Sequence, residues 1–579
     1  MKKMLHILII VLFCSTSCES VLDKEPLNII SDAVVWNDET LIDSYLTEIY
    51  GEMVFFVNDL YGQSMYTPDF LGKNWFDMCM TINISDEATD AWVYSGMKYN
   101  QLTDAGGLYE LWPYDIIRRQ NVFLQQIEKG NVSDAFKKQR VAENRFLRAF
   151  TYFSMVKRYG GVPLITESQS LTDPEDVLYP KRNKEIEVYN FIISEIDAIV
   201  DDLPEIYDAS NIGRPTKYAA LALKSRAAMY AASIATWGEV KLDGLVGIPA
   251  DQAQIFWQKS YDASKQIIDS GKHGLYDNYQ YIFLHENNEE VIFSKLFNGP
   301  DGLSGKGHGW DLYQCPKGYN PWGGGNQSAV YLEMVESYEY IDGTPGTIDR
   351  TKLTSKLWTM DELWTDKDPR FKASIYTQGT PWMDNELQFY HGVIVDGNLI
   401  TSGSYQGILA KGISSNDITS FGVLKYLNPT IRQPDNNASP TDWIVFRYGE
   451  ILLNFAEAAF ELGKNDEALL AVNAIRERAG IALLNSINRD IIRHERKVEL
   501  AFENHRFWDL RRWRTAHTEL SRNFSGLHYM LDIETMKFRL NVIPAHGTVL
   551  PNFSQNKYYF PIGRGRIANN PNLIENPGY

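Results

Sequence analysis

The chain has 579 residues, too many for one compact core, so it holds several domains or one extended helical architecture. Its 44% hydrophobic and 22% charged residues are those of a folded protein. The net charge is −18, and the arginines that cluster, Arg511, Arg512 and Arg514, have acidic neighbours, which argues against a nucleic-acid surface.

The first element in chain order is a leader. Lys2 and Lys3 precede an apolar run from Leu5 to Phe13, and Ser15, Thr16 and Ser17 lead into Cys18. This is a secretory signal over residues 1–17, too short to span a bilayer. Cys18 after three small residues reads as a lipobox, with cleavage before Cys18 and acylation of its thiol and amino group. Several acyl chains, at ~0.8 kcal/mol per buried methylene, make a lasting anchor where one would not. Ordinary cleavage near Ser17, with release of the chain, is the alternative. No later stretch reaches the ~18 uncharged apolar residues of a spanning helix.

From about Asn58 to Leu111 helical periodicity fades, and Gly, Asn, Asp and aromatic residues take over. It returns at Glu143–Arg158, where Phe146, Phe150, Phe153 and Val156 fall at three- and four-residue spacing before Gly160 and Gly161. Tyr218–Ser233 is an Ala-rich helix; Ala219, Ala222, Ala227 and Ala231 let a neighbour approach closely. A second irregular stretch runs from Asn287 to Pro440. Helices are then expected over Arg447–Leu462, from an Asp466 cap to Arg478 with Gly480 as its stop, and over Ile491–Trp513. Ala149 with Phe153 and Ala456 with Phe460 repeat the small-then-large spacing of stacked helix hairpins. The expected fold is mainly α, with a TPR-like scaffold of helix pairs and long, loop-rich insertions. Insertions of that length on a rigid scaffold are where function concentrates.

Of the four cysteines, Cys79 and Cys315 lie outside the leader, with no Cys/His spacing that makes a metal site. Two buried thiols and one disulfide both fit, because bridging depends on Cα separation.

Taken in order, these segments resemble the SusD/RagB family of Bacteroidetes surface lipoproteins. The match is carried by CESVLDKEP (Cys18 to Pro26), RFLRAFTYFSMVKRYGGVPL (Arg145 to Leu164), GRPTKYAALALKSRAAMY (Gly213 to Tyr230), RYGEILLNFAEA (Arg447 to Ala458), RHERKVELAFENHRFWDLRRW (Arg493 to Trp513) and YYFPIGRGRIANNPNLIENPGY ending at Tyr579. There are departures: Asn504 follows Glu503 where the family usually has Gly, and Gly563 and Arg566 stand for a Pro and an acid. The resemblance implies an N-terminal region over 18–285 and a C-terminal region over 286–579. It also implies a lipid-anchored, surface-exposed outer-membrane protein that captures oligosaccharide, or in some members peptide, and passes it to a SusC-like TonB-dependent transporter.

A sugar needs aromatic faces for its C–H surface and amides, carboxylates or Arg for its hydroxyls. Trp75, Trp92, Tyr94, Lys98 and Asn100 supply these in the first irregular stretch. Trp310, Tyr319, Asn320, Trp322 and Asn326 supply them in the second, within GHGWDLYQCPKGYNPWGGGNQ. Family members resembling this chain place their ligand between these two regions. The alternative is that such tryptophans plug loops onto the scaffold. Trp508 and Trp513, on a helical stripe with Leu500, Phe502 and Leu510, are expected in the core. Glu495, Glu499, Glu503, Arg506, Asp509 and Arg512 read as an intrahelical ion-pair ladder.

Catalytic signatures are missing. His494-Glu495 lacks the second His of H-E-x-x-H, Gly323 to Gly325 have no P-loop Lys-Ser/Thr, and no G-x-S-x-G occurs. No cofactor, metal or catalytic residue is expected. A helical glycoside hydrolase, which needs only two carboxylates, and a TPR-like lipoprotein that binds proteins are the competing readings. The sequence does not name the ligand.

Overall fold

The computed structural model describes residues 32–53, 81–90, 111–297, 307–319, 325–353, 355–401, 419–431, 439–545 and 551–579. Helices dominate the first half: α1 (Glu39–Glu52), α2 (Tyr114–Ile127), α3 (Asp134–Tyr159), α4 (Glu185–Ile199), α5 (Lys217–Trp237) and α6 (Ala253–Ser270). Four more follow near the C-terminus: α7 (Tyr448–Glu461), α8 (Asn465–Ala479), α9 (Arg489–Glu499) and α10 (Arg506–Arg512).

These helices form because caps and apolar stripes agree. Ser133 caps α3 through the Phe136 N–H, and Gly160 at φ 73° ends it. Thr216 caps α5 through the Ala219 N–H. Ala219, Ala222, Ala227 and Ala231 are fully buried, so α6 packs closely on α5; α7 then packs on α6 and α8 on α7, while α3 packs on α4. This is the stacked-pair scaffold expected. The start of α8 differs: Lys464 occupies the cap position and Asp466 lies in the first turn, where its charge still favours the helix dipole. Gly480, at φ 73°, ends α8 as anticipated.

Ile491–Trp513 is not one helix. It divides into α9 and α10 around a turn in which Phe502 and Asn504 have φ of 64° and 63°. An Asn at the second of these positions is physically apt, since it tolerates left-handed backbone better than most residues, as glycine does. Gly563, at φ 94°, adopts a backbone closed to proline, so this turn differs from one with Pro at that position.

Sheet that helical periodicity could not reveal lies in the long insertions, just ahead of α7 and after α10. Strands β1 (Ala88–Asp90), β2 (Val291–Lys295), β3 (Ser328–Val330), β4 (Ile375–Tyr376), β5 (Tyr390–Val395), β6 (Asn398–Ile400), β7 (Gly422–Val423), β8 (Trp443–Arg447), β9 (Ser525–Asp532) and β10 (Lys537–Pro544) form three assemblies. Their orders are β1-β3-β7-β4, β8-β2 and β10-β9-β5-β6. In β9, Leu527, Tyr529 and Leu531 are buried on one face and Gly526 and Met530 on the other, so the strand is largely covered on both sides. No described helix is long and apolar enough to cross a membrane.

Scaffold and insertions meet at a buried ionic network. Arg370 pairs with Asp368 (2.7 Å), Glu495 (2.6 Å) and Glu499 (2.9 Å). Arg447 pairs with Glu290 (2.6 Å), Glu499 (2.7 Å) and Glu503 (2.7 Å), and Lys425 reaches Glu503 at 2.8 Å. The expected intrahelical ladder is therefore corrected. Only Arg512–Asp509 (2.8 Å) follows helix spacing, whereas Glu495, Glu499 and Glu503 face cations on other elements. Buried carboxylates this close together need several cations each, and one helix cannot supply them. Trp508 and Trp513 are 2% and 3% exposed, in the core as expected.

Candidate functional site

The two irregular stretches meet through β1 and β3. The pairing is antiparallel, with Ala88 opposite Val330 and Asp90 opposite Ser328. The chain leaving Asp90 and the chain arriving at Ser328 therefore lie at the same end of one sheet. This is the juxtaposition that a single platform built from both stretches requires.

The segment ahead of β1 is held to the scaffold by charge. Asp86 Oδ1 and Oδ2 accept from Arg506 Nε (2.7 Å) and Nη2 (2.9 Å), and Oδ2 also accepts from Lys497 Nζ (3.0 Å). Burial alone would raise this carboxyl, but Arg506 and Lys497 overcome it and hold Asp86 far below the usual carboxylate range. The adjacent Glu87 accepts the Phe502 N–H (2.8 Å) and the Ser85 hydroxyl (2.9 Å), while burial pushes its carboxyl up to about 7. The Thr81 hydroxyl donates to Asn504 Oδ1 at 2.7 Å. The left-handed turn between α9 and α10 is thus held by residues 81–87, so scaffold strain is resolved by contacts to the base of the site. The sequence places Asp86 and Glu87 beside Trp92 but gives them no partner. An acidic pair, with excess Arg and Lys on α9 and α10, is the signal that could have found one.

The second stretch is held by close backbone packing. Gly325, at φ 97°, lies where a Cβ would come within 2.5 Å of the Cys315 carbonyl. The Asn326 N–H donates to that carbonyl (2.9 Å), and the Gln327 N–H donates to the Tyr313 carbonyl (3.0 Å). Gln314 Nε2 reaches the Ser328 hydroxyl at 3.1 Å. Cys315 is a buried thiol whose Sγ donates to the Leu312 carbonyl (3.5 Å); Cys79 lies outside the described residues.

Of the candidate ligand contacts, Trp310 is corrected. It is 1% exposed, its indole N–H donates to the Lys425 carbonyl (3.0 Å), and its ring packs against Tyr426 and Trp443 at 5.9 and 5.7 Å. A ring enclosed in this way plugs the insertion onto the core and offers no face to a sugar. Asn326 is buried in left-handed backbone (φ 49°), while Tyr319 keeps part of its surface exposed. Trp75, Trp92, Tyr94, Lys98, Asn100, Asn320, Trp322 and the lipidation candidate Cys18 lie outside the described residues. Among the described residues, no group of three or more His, Cys, Asp or Glu is placed to hold a metal ion. The clustered carboxylates of α9 and its following turn are fully engaged by Arg and Lys, so they are not a solvent-facing acid–base pair.

Comparison with known proteins is consistent along the whole chain. The model described as SusD family matches residues 289–579, and the one described as starch-binding associating with outer membrane matches residues 21–229. A SusD-like protein of Bacteroides ovatus is 25% identical over 541 residues, covering 88% of this chain and 82% of the relative. The starch-binding protein SusD of Bacteroides thetaiotaomicron is 24% identical over 486 residues, covering 80% and 77%. The crystal structure of a SusD-like protein from Bacteroides fragilis, 25% identical, superposes with a TM-score of 0.72 over 96% of this chain and 100% of that one. On the strength of a match spanning half its length and a shared architecture throughout, the chain belongs to the SusD family.

Proposed function

We propose that this protein captures an oligosaccharide at the outer membrane and hands it, uncut, to a SusC-like TonB-dependent transporter, held there by a lipid on Cys18. The observation that carries the reading is the β1–β3 pairing. It sets Asp90, shortly before Trp92 in the sequence, opposite Ser328, shortly after Trp322, which supports a reading in which aromatic faces from both stretches contribute to one saccharide platform. The starch-binding relative supports the ligand class, and the family description of outer-membrane association supports the location. Trp75, Tyr94, Lys98, Asn100, Tyr319 and Asn320 are the remaining proposed contacts.

Incubation of the purified protein with a glycan library tests the proposal. Retention of an intact glycan, with no reducing ends released, is the expected result. Release of reducing ends that a single carboxylate substitution abolishes would place the protein among the hydrolases. Retention of peptides but no glycan would assign it to peptide capture.

A further inference from the structure

A cavity lies among residues of α5, of the turn after α10 and of the C-terminal tail. It has a volume of about 370 Å³, within the usual range of small-molecule sites. The C-terminal end of α5 (Trp237), the turn after α10 (Arg514, His517) and the tail (Asn556, Tyr558, Tyr559) meet around it. None of these residues belongs to the proposed glycan platform.

Arg514 supplies the guanidinium on the lining of this cavity. Its guanidinium lies 4.9 and 4.8 Å from the Tyr558 and Tyr559 ring centroids. It donates to the Arg511 carbonyl (3.3 Å) and the Tyr559 hydroxyl (2.6 Å). Both acceptors are neutral, and among the described residues no carboxylate lies within ion-pair distance of it. This sets it apart from Arg370, Arg447 and Arg512, which face carboxylates directly. The nearest acid along its hydrogen bonds is Glu185, which accepts from the Tyr559 hydroxyl (2.8 Å) and whose carboxyl is raised by burial. On the other side is Arg511, bonded to carbonyls and pushed down to about 9 by burial and by the charges of Arg514 and Arg158. Backbone strain collects here too: Arg514 has φ 58°, and Leu242 and Asp243, in the loop that carries Lys241 and Val246 to the cavity, have φ 51° and 53°.

We propose that this cavity is a second ligand site, taking a small sugar acid whose carboxylate docks on Arg514 and whose ring packs beside Trp237. One stacked guanidinium with spare N–H donors matches one carboxylate. A more highly charged anion is disfavoured, because Glu239 itself lines the cavity and Lys241 is already paired with it at 2.9 Å. The aromatic lining fits a pyranose better than a bare ion. The site stands independently of the platform at β1–β3.

Calorimetric titration with D-glucuronate, D-glucose and inorganic sulfate tests this on the full chain. Glucuronate should bind saturably, and glucose and sulfate at least tenfold more weakly. Arg514→Gln should weaken glucuronate at least tenfold with an unchanged melting temperature, and Trp92→Ala/Trp322→Ala should leave it unchanged. Trp237→Ala reads the same site should Arg514→Gln fold poorly, and it too should weaken binding. The proposal is overturned by absence of saturable glucuronate binding, by glucose or sulfate binding equally well, or by glucuronate affinity that survives both Arg514→Gln and Trp237→Ala. Loss of glucuronate binding in the Trp92/Trp322 variant would also overturn it, by placing that binding on the platform.

Discussion

Replacing Asp86 by Asn keeps the side chain's shape and removes the charge on which the base of the site is built. Lys497 and Arg506, at 3.0 and 2.7 Å, then face a neutral amide in a nearly closed environment, with Arg522 3.7 Å away adding a third positive charge. Leaving buried cations without their counter-ion costs roughly 3–5 kcal/mol. The effect has a pH signature. Asp86 is held far below its unfolded value, so its contribution is fully present above about pH 4 and is lost as the pH falls through the acid range. Urea titration of wild type and Asp86→Asn at pH 7 and near pH 3 should show a gap of about 3–5 kcal/mol that narrows on acidification. A gap below about 0.5 kcal/mol at pH 7 would refute the clamp, because that is the scale of an ordinary exposed substitution.

Glu87 carries the opposite sign. Its folded carboxyl is raised to about 7, so its contribution is largest at low pH and is lost as the pH rises toward neutrality. Stability should fall relative to Glu87→Gln by up to roughly 3 kcal/mol between pH 4.5 and 7, and a pH-independent difference would contradict the assignment. Trp310→Ala, which empties a buried plug, should cost about 3–5 kcal/mol in denaturant titration, and a variant as stable as wild type would return Trp310 to the ligand candidates. Cys18→Ala should shift the protein from the membrane fraction to the soluble fraction, and retained acyl label on membranes would contradict the lipobox.

The scaffold was legible because its signals are local. The Phe146–Phe150–Phe153 stripe, the alanines of α5 and the glycines at 160 and 480 each specify a helix or its end within a few residues. What escaped was non-local. The charges on α9 and α10 satisfy helix spacing, so they read as a ladder, yet their partners Arg370, Arg447 and Lys425 lie far away in sequence. The break between α9 and α10 was hidden for a related reason: the turn at Phe502 and Asn504 is held by Glu87 and Thr81, more than four hundred residues earlier. At the site, residue type alone could not separate a platform tryptophan from a plug. Trp310 has the same Gly- and Asn-rich neighbourhood as Trp322, and only its enclosure by Tyr426 and Trp443 shows its role.

Glycan affinity measured beside thermal stability for Trp92→Ala and Trp322→Ala tests the account most directly. In the sequence the two positions stand just beyond Asp90 and just ahead of Ser328, the residues that the β1–β3 pairing sets opposite each other. Each ring removed should cost about 1–2 kcal/mol of binding, treating aromatic contacts as worth ~0.5–1.5 kcal/mol beyond their area. That corresponds to a roughly five- to thirty-fold weaker affinity. Melting temperatures should match the wild type. Variants that melt normally and bind glycan at full strength would contradict the account, and so would variants that unfold, since the two tryptophans would then be further plugs like Trp310.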